Sequence, residues 1–186
     1  MKQILFLLVA FFIFDASAQK TLNGVTLPAK VKANNQELVL NVGGIRKKAM
    51  FKVYVLGLYT PAKTKDAKAI INTNDDLMAR LVITSSVVNS SNMSEAIIEG
   101  FEKSTNNNMA PLKSKIDAFI GAFKEEIKTG DVFDLVYSPS TGTKALKNGK
   151  LVTTVEGEAF KKALFGIWLG DNPIDTKVKS GILGLE

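Results

Sequence analysis

Arg46 and Tyr54 are the two polar side chains whose types and surroundings best fit a binding site. Both lie in the stretch GGIRKKAMFKVYVLGLYT, residues 43–60, which is basic near its start and apolar or aromatic near its end. A guanidinium group holds a carboxylate or phenolate through two parallel hydrogen bonds, and a tyrosine hydroxyl donates one more. The pair therefore suits an anion-binding site. The competing interpretation is a solvated arginine beside Lys47 and Lys48, with a core tyrosine whose hydroxyl reaches the surface.

Whether the two side chains meet depends on how the chain turns between them. In a straight strand, residues this far apart would be separated by about 27 Å, at ~3.4 Å per residue. A two-residue turn at residues 47–48 would pair Arg46 with Ala49 and leave Tyr54 about 17 Å away. A wider turn centred near Met50 would place Arg46 opposite Tyr54. The intervening stretch contains no strong turn former, so the sequence leaves both turns open.

The composition excludes several kinds of chemistry. The chain has 186 residues and contains neither Cys nor His. Thiolate and imidazole metal sites, Ser–His and Cys–His nucleophile pairs and disulfides are therefore excluded. The net charge is +6, but no basic block with interleaved aromatic residues is present, so nucleic acid is not an expected partner. We assign no catalytic residue and expect no metal ion or cofactor.

Residues 1–18 have the layout of a secretory signal peptide. Lys2 precedes an apolar run over residues 4–14, and the small-residue triplet ASA at residues 16–18 forms a cleavage site. The apolar run is too short to span a bilayer. We expect cleavage after this triplet and a bacterial protein that is periplasmic or secreted, with an uncleaved anchor as the alternative. The rest of the chain, residues 19–186, is long enough for a single domain with its own core.

The hydrophobic patterns predict an α+β domain. Strands are expected at residues 37–42, 43–60, 77–88, 131–137, 143–146 and 151–155, and helices at residues 63–72, 158–169 and 176–183. Two further helices are expected between the third and fourth strands, one capped by Asn92 or Ser94 and one over residues 111–127. Asn148-Gly149 predicts a type I′ hairpin turn. This order fits a mostly antiparallel sheet with helices packed on one face.

Large aromatic residues are expected to anchor the core. We interpret Tyr59 and Trp168 as packing residues rather than ligand contacts. Phe101, Phe119 and Phe123 lie at helical spacing with other apolar residues and are also expected in the core. An acyl-chain pocket would use the same kinds of side chain, so a core role and a cleft role remain open for these three.

Two stretches of the sequence resemble segments of a known family. They are GGIRKKAMFKVYVLGLY, in which an arginine precedes a strand ending in Gly-x-Tyr, and FKKALFGIWLGDNPIDTKVKSGILG at residues 160–184. Both resemble the chalcone isomerase-like family. The resemblance implies an open-faced sandwich, in which a large, mostly antiparallel β-sheet is covered by a layer of α-helices with a ligand cleft between them.

The members of this family divide by function. Plant chalcone isomerases close a flavanone ring, whereas related proteins without isomerase activity bind fatty acids and hold the carboxylate with an arginine and a tyrosine. Arg46 matches the family arginine, and Tyr54 stands where the fatty-acid-binding members have tyrosine. The other polar positions of the isomerases are not matched. They fall at Thr84, Met93, Gly100 and Ile167.

This comparison favours an exported, non-catalytic binder of a small amphipathic acid, such as a fatty acid. Arg46, alone or with Tyr54, would hold the acid, and the apolar cleft between sheet and helices would hold the tail. A second hypothesis is an isomerase or lyase acting on a phenolic or enone substrate, with Arg46 stabilising an oxyanion. A third is a structural or partner-binding domain without a pocket. The sequence does not indicate the oligomeric state.

Overall fold

The computed structural model describes residues 19–34 and 36–185, so the expected leader at residues 1–18 lies outside the described residues. The strands within the described part are β1 Lys20–Leu22, β2 Val25–Leu27, β3 Lys30–Ala33, β4 Gln36–Lys48, β5 Phe51–Thr60, β6 Leu77–Ile83, β7 Val132–Ser138, β8 Gly142–Lys147 and β9 Lys150–Val155. The α-helices there are α1 Ala67–Asn72, α2 Ser90–Ser104, α3 Lys113–Ile120, α4 Glu158–Leu169 and α5 Thr176–Leu183, and short 3-10 helices cover Ala110–Leu112 and Gly121–Phe123.

One antiparallel sheet organises the described residues. Its seven strands lie in the order β3-β4-β5-β6-β7-β8-β9, so strands adjacent in the chain are also adjacent in space. Helix α1 connects β5 to β6, helices α2 and α3 connect β6 to β7, and α4 and α5 follow β9. The predicted α+β architecture, a mostly antiparallel sheet covered by helices, is confirmed.

The helix-covered face of the sheet holds the larger core. Phe101 of α2, Phe119 of α3 and Phe160 of α4 contact one another with ring centroids 5.5 to 6.1 Å apart. Phe123 stacks on Phe133 of β7 at 4.7 Å between centroids. All five rings are buried. The expected core positions of Phe101, Phe119 and Phe123 are therefore confirmed, and the helices are attached to the sheet largely through aromatic contacts.

The opposite face of the sheet carries a second, smaller core that the sequence did not reveal. Strands β1 and β2 form a separate hairpin, and Leu27 from this hairpin is buried with Val55 and Tyr59 of β5. Residues on either side of these, Leu56 and Leu58, face the larger core instead. Successive side chains of a strand point to opposite faces. The uninterrupted apolar run of β5 is thus explained by burial on both sides.

Two predicted N-terminal boundaries of helices are wrong by a few residues, because the capping side chains lie elsewhere. Helix α1 begins at Ala67 rather than at residue 63, since the Asp66 carboxylate accepts the N–H of Ala69 at 3.0 Å. Helix α2 begins at Ser90, and its cap is Asn89 rather than Asn92 or Ser94. Asn89 and Asn92 each accept the backbone N–H of the other at 3.0 Å. This reciprocal pair satisfies two N–H groups that the helix start leaves free.

Two predicted elements are also too long. Strand β6 ends at Ile83 instead of residue 88, because its pairing with β5 stops where Ile83 faces Tyr54. The helix predicted over residues 111–127 is shorter. Its regular part, α3, ends at Ile120 and passes into the 3-10 turn Gly121–Phe123.

The turn between β8 and β9 has the predicted type I′ conformation. Asn148 and Gly149 have φ angles of 50° and 79°, as this turn requires at both central positions. The Asn148 side chain also accepts from Val132 N at 2.8 Å and donates to Asp131 at 2.9 Å. The hairpin is thus attached to the start of β7.

Lys161 is a buried charge that connects α4 to α1. The side chain is fully buried, and its Nζ donates to the carbonyl oxygens of Ile71, at 2.8 Å, and Thr73. Nζ also lies 5.0 Å from the ring centroid of Tyr137. Burial lowers the pKa of the Lys161 ammonium, while the nearby Glu158 carboxylate opposes that shift. The lysine satisfies carbonyl groups at the C-terminal end of α1, which gives it a structural role.

Candidate functional site

Arg46 and Tyr54 lie directly opposite each other on β4 and β5. The chain reverses through Ala49 and Met50, and Ala49 has a left-handed φ of 53°. The reversal therefore lies next to Met50, near the second of the two expected positions, and not at residues 47–48. It is a two-residue turn rather than a wider one, because Lys48 pairs directly with Phe51. Directly opposite residues of an antiparallel pair place their side chains on the same face of the sheet.

A bulge produces this pairing. Next to the turn, Lys47 pairs with Lys52, and the following pair is Arg46 with Tyr54, so β5 contributes one additional residue, Val53. Without that residue Arg46 would face Val53. A one-residue slip would also move Tyr54 to the opposite face of the sheet. The meeting of Arg46 and Tyr54 thus depends on one extra residue in β5.

Tyr54 is held in place by Trp168. The Tyr54 side chain is buried, and its hydroxyl accepts a hydrogen bond from Trp168 Nε1 of α4 at 3.0 Å. Burial raises the pKa of the Tyr54 hydroxyl, whereas the hydrogen bond from Trp168 and the positive charge of Arg46 act in the opposite direction. The hydroxyl therefore stays protonated at neutral pH and retains a proton to donate. Trp168, expected to serve only in packing, is also a polar partner within the site.

Arg46 makes its ion pair through a single nitrogen. Its Nη1 donates to Asp175 Oδ2 at 3.1 Å and to the carbonyl oxygen of Lys47 at 2.6 Å. The exposed fractions of the Arg46 and Asp175 side chains are 17% and 14%, so the pair is mostly shielded from water. The other carboxylate oxygen, Oδ1, caps α5 by accepting the N–H groups of Lys177 and Val178. Asp175 thus joins β4 to the start of α5.

Arg80 on the other face of the sheet makes a bidentate ion pair, unlike Arg46. Its Nε and Nη2 donate to the two carboxylate oxygens of Asp134 at 2.7 and 2.8 Å. This bidentate geometry uses one edge of the planar guanidinium, with two parallel hydrogen bonds. Arg46, by contrast, gives Asp175 one nitrogen out of three. A guanidinium has five N–H donors, so Arg46 retains the capacity to bind a second oxygen anion.

Arg46 and Tyr54 stand at the polar end of a cavity between the sheet and the helices. Lys48, Asn92 and Trp168 also line the cavity. The remaining lining is apolar and comes from the sheet, from α2, α3 and α4 and from the segments that flank the helices. It comprises Val53, Leu81, Val87, Val88, Met93, Ala96, Ile97, Phe119, Phe123, Leu135, Leu164, Ile167 and Ile174. A charged end and an apolar interior suit an amphipathic acid.

The cavity is small as the side chains stand. Its volume is about 80 Å³, below the ~300–1,000 Å³ typical of small-molecule sites. A long acyl chain would enter only if lining side chains moved. Met93 is a flexible thioether suited to such movement, and Val87 at the edge of the cavity is already 38% exposed.

The positions that correspond to polar groups of the isomerases are apolar or lie elsewhere. Met93 and Ile167 line the cavity with apolar side chains. Gly100 faces Ile167 so closely that an added Cβ would lie 2.8 Å from it. The Thr84 hydroxyl donates to the carbonyl oxygen of Lys52 at 2.7 Å. The polar side chains that line the cavity are instead Arg46, Lys48, Tyr54, Asn92 and Trp168.

Neither a metal cluster nor a membrane-spanning helix is found in the part of the chain that the structure describes. No group of three or more Asp and Glu side chains there is placed to hold a metal ion. Over the same residues, no helix combines the length and apolarity needed to cross a bilayer.

The fold and this cavity define an open-faced α+β sandwich with an arginine–tyrosine pair at one end of an apolar pocket. Residues 19–184 match the family model described as chalcone isomerase-like, so the chain belongs to the chalcone isomerase-like family. Among solved structures, the chain is similar to a fatty-acid binding protein of Arabidopsis thaliana, with a TM-score of 0.70 and 17% identity. The match covers 89% of this chain and 96% of the plant protein. No curated protein matches the chain significantly.

Proposed function

We propose that the protein is an exported, non-catalytic binder of a small amphipathic acid, with a fatty acid as the preferred class. The observation that carries this proposal is the pairing of Arg46 with Tyr54 at the polar end of an apolar cavity. The guanidinium and the protonated hydroxyl are complementary to a carboxylate. The similar plant structure is that of a fatty-acid binding protein, which supports the same class of ligand.

The ligand carboxylate would share or take over the guanidinium that Asp175 now holds. Asp175 is bonded to Arg46 through Oδ2 only, while Oδ1 caps α5. Because Asp175 engages only one nitrogen of Arg46, the ligand carboxylate could share the guanidinium while Asp175 keeps both its ion pair and the helix cap. The acid would enter beside Arg46, with its tail directed toward Met93 and Ile167.

An isomerase or lyase remains the alternative function, but the cavity supports it less well. Met93 and Ile167 offer apolar surface where the isomerases have polar groups. Losing a positioned hydrogen-bond donor typically removes about a hundredfold or more in rate. We expect no cyclisation of chalcone above the spontaneous reaction. Turnover that disappears in Arg46→Ala would establish the alternative instead.

Native mass spectrometry of gently purified protein tests the proposal most directly. A bound acid should appear as an added mass that is lost on denaturation, and extraction should identify it. Calorimetric titration of delipidated protein with fatty acids should show one site per chain. Protein that carries no adduct and binds no fatty acid would overturn the proposal.

The proposed export has a separate test. The first residue of protein recovered after expression of the full chain should be Gln19 or one close to it, because the ASA triplet at residues 16–18 precedes it. Recovery of the chain with its original Met1 in the membrane fraction would indicate an uncleaved anchor.

A further inference from the structure

The tip of the β4–β5 hairpin presents apolar side chains to solvent. Met50 is 86% exposed and Phe51 is 45% exposed, although both are large apolar residues that proteins normally bury. They lie at the end of β4 and β5, beyond the Arg46–Tyr54 pair. Nothing in the described part of the chain covers them.

Lysines surround these apolar side chains. Lys47, Lys48 and Lys52 are all exposed. None of the three forms an ion pair with a described residue. The Lys52 side chain makes one neutral contact, a hydrogen bond to the Asn23 side chain at 3.1 Å. The sequence has no acidic residue anywhere between positions 38 and 65. The hairpin tip therefore combines uncompensated positive charge with exposed apolar surface.

We propose that this tip docks on an anionic lipid surface. Met50 and Phe51 enter the boundary between headgroups and acyl chains, and the lysines contact the anionic headgroups. Basic residues around apolar ones form the pattern that binds such surfaces, because each lysine gains electrostatic attraction while the apolar side chains leave water.

An acidic protein surface is the other partner that this charge would attract. A stable protein interface buries about 1,000 Å² or more. The tip is a two-residue turn with its flanking lysines, which is too narrow to supply half of such an area. A lipid surface needs only a few inserted side chains and fits this shape better.

Docking would also orient the cavity. Lys48 of the tip and Val87, which is itself 38% exposed, both line the cavity beside Arg46. The same end of the molecule thus carries the lipid-contacting residues and the polar end of the cavity. A role of docking in transferring an acid to or from a membrane rests on the proposed function, whereas docking itself does not.

Vesicle binding tests the proposal. The protein recovered after expression of the full chain is titrated with vesicles of phosphatidylglycerol and phosphatidylcholine, and with phosphatidylcholine vesicles alone. We expect binding to the anionic vesicles only, weakened by 0.5 M salt as screening requires. Lys47→Gln with Lys48→Gln should weaken binding about 25-fold, at about fivefold per lysine. Met50→Ser with Phe51→Ser should weaken binding at least tenfold.

Matched variants control for charge and for apolar exposure in general. The double variant Lys63→Gln with Lys65→Gln lowers the net charge by the same amount. Its two positions lie beyond the other end of β5, away from the hairpin tip. Leu151→Ser with Val152→Ser changes a second exposed apolar pair, 51% and 41% exposed, on β9. Both control variants should bind like the wild type. Equal losses in test and control variants, or no binding to anionic vesicles, would overturn the proposal.

A site-specific probe gives a second measurement that does not depend on affinity. The chain has no Cys, so Met50→Cys can carry a single polarity-sensitive fluorophore. Its emission should shift to the blue on anionic vesicles, and the same probe on Leu151→Cys should not shift. If the emission at position 50 does not shift, insertion of the tip is excluded, whether or not the protein binds a soluble acidic polypeptide. Both measurements use delipidated protein without added fatty acid, so their outcome does not depend on acid binding at Arg46.

Discussion

The indole N–H of Trp168 donates to the hydroxyl of Tyr54 at 3.0 Å, and this bond joins α4 to β5 beside the cavity. It fixes the tyrosine oxygen while leaving its proton free to be donated. Because Arg46 lies opposite Tyr54 in the sheet, three residues from three elements form the polar end of the site.

The first prediction concerns the stability of this arrangement. Tyr54→Phe removes the acceptor of the Trp168 N–H, which is then buried without a partner. We expect the free energy of unfolding to fall by ~1–3 kcal/mol. Tyr59→Phe is the matched control, because the buried Tyr59 hydroxyl has no hydrogen-bond partner among the described residues. The free energy of unfolding of Tyr59→Phe should not fall and should rise by up to ~1 kcal/mol. Urea unfolding at pH 7 measures both, and equal losses would contradict the role of Trp168.

The second prediction concerns the anion contact. Arg46→Ala should weaken fatty-acid binding about ten- to a hundredfold, because charge-assisted hydrogen bonds contribute ~1.5–3 kcal/mol. Arg46→Lys should restore only part of the affinity, since an ammonium lacks the planar fork. Tyr54→Phe should weaken binding less, through the loss of one neutral donor. Arg80→Ala, on the other face of the sheet, should leave the affinity unchanged. Calorimetric titration of the folded variants measures these affinities. Equal affinities for the wild type, Arg46→Ala, Arg46→Lys and Tyr54→Phe would refute the contact.

The third prediction concerns Asp175 as an internal competitor for Arg46. Asp175→Asn keeps a side chain that caps helices as well as aspartate does, but it removes the negative charge beside the guanidinium. We expect fatty-acid affinity to rise by up to about fivefold, since such ion pairs contribute up to ~1 kcal/mol. Asp134→Asn beside Arg80 serves as the control and should have no effect. A weaker affinity in Asp175→Asn would mean that Asp175 orients Arg46 for its ligand.

The fourth prediction concerns the apolar part of the cavity. Each methylene that enters it should contribute ~0.8 kcal/mol, about fourfold in the dissociation constant. Affinity should therefore rise along a series of saturated acids and then level off when further methylenes remain in solvent. Methyl esters of the same acids should bind much more weakly, because Arg46 gains no anion. Titration of both series gives the result, and equal affinities of acid and ester would contradict an anion contact.

The fifth prediction concerns alkaline pH. Burial raises the pKa of Tyr59 from 10.0 to about 12; the positive charge of Arg80 lowers this pKa by a smaller amount, and the negative charge of Asp134 raises it slightly further. Above pH 10 the unfolded chain releases this proton while the folded protein keeps it. Tyr59 therefore lowers the free energy of unfolding by about 1.4 kcal/mol per pH unit until its folded pKa is reached. Tyr59→Phe should lose less stability than the wild type between pH 10 and 12 in denaturant titrations. Parallel curves for the two proteins would refute this assignment.

The candidate site illustrates how far the sequence alone leads. Arg46 and Tyr54 were identifiable from their residue types and from the family resemblance, but the sequence left open whether they meet. The answer depends on Val53, the extra residue of a bulge. A bulge reflects how a strand pairs with its neighbours, and no residue of this hairpin is a strong turn former that would have indicated it. Trp168 and Asp175 are more than 100 residues away in the chain, and no local signal connects them to the site.

The sequence by itself determined the α+β class, the order of nearly all elements and the type I′ turn at Asn148-Gly149, because hydrophobic periodicity and turn chemistry are local properties. It also excluded thiolate and imidazole chemistry through composition. The tertiary structure alone decided which arginine stays available. Arg46 and Arg80 look alike as strand residues, yet Arg46 gives a single nitrogen to Asp175 and Arg80 gives two nitrogens to Asp134. Partners contributed by other elements make that difference, and their positions follow from the packing of the entire domain.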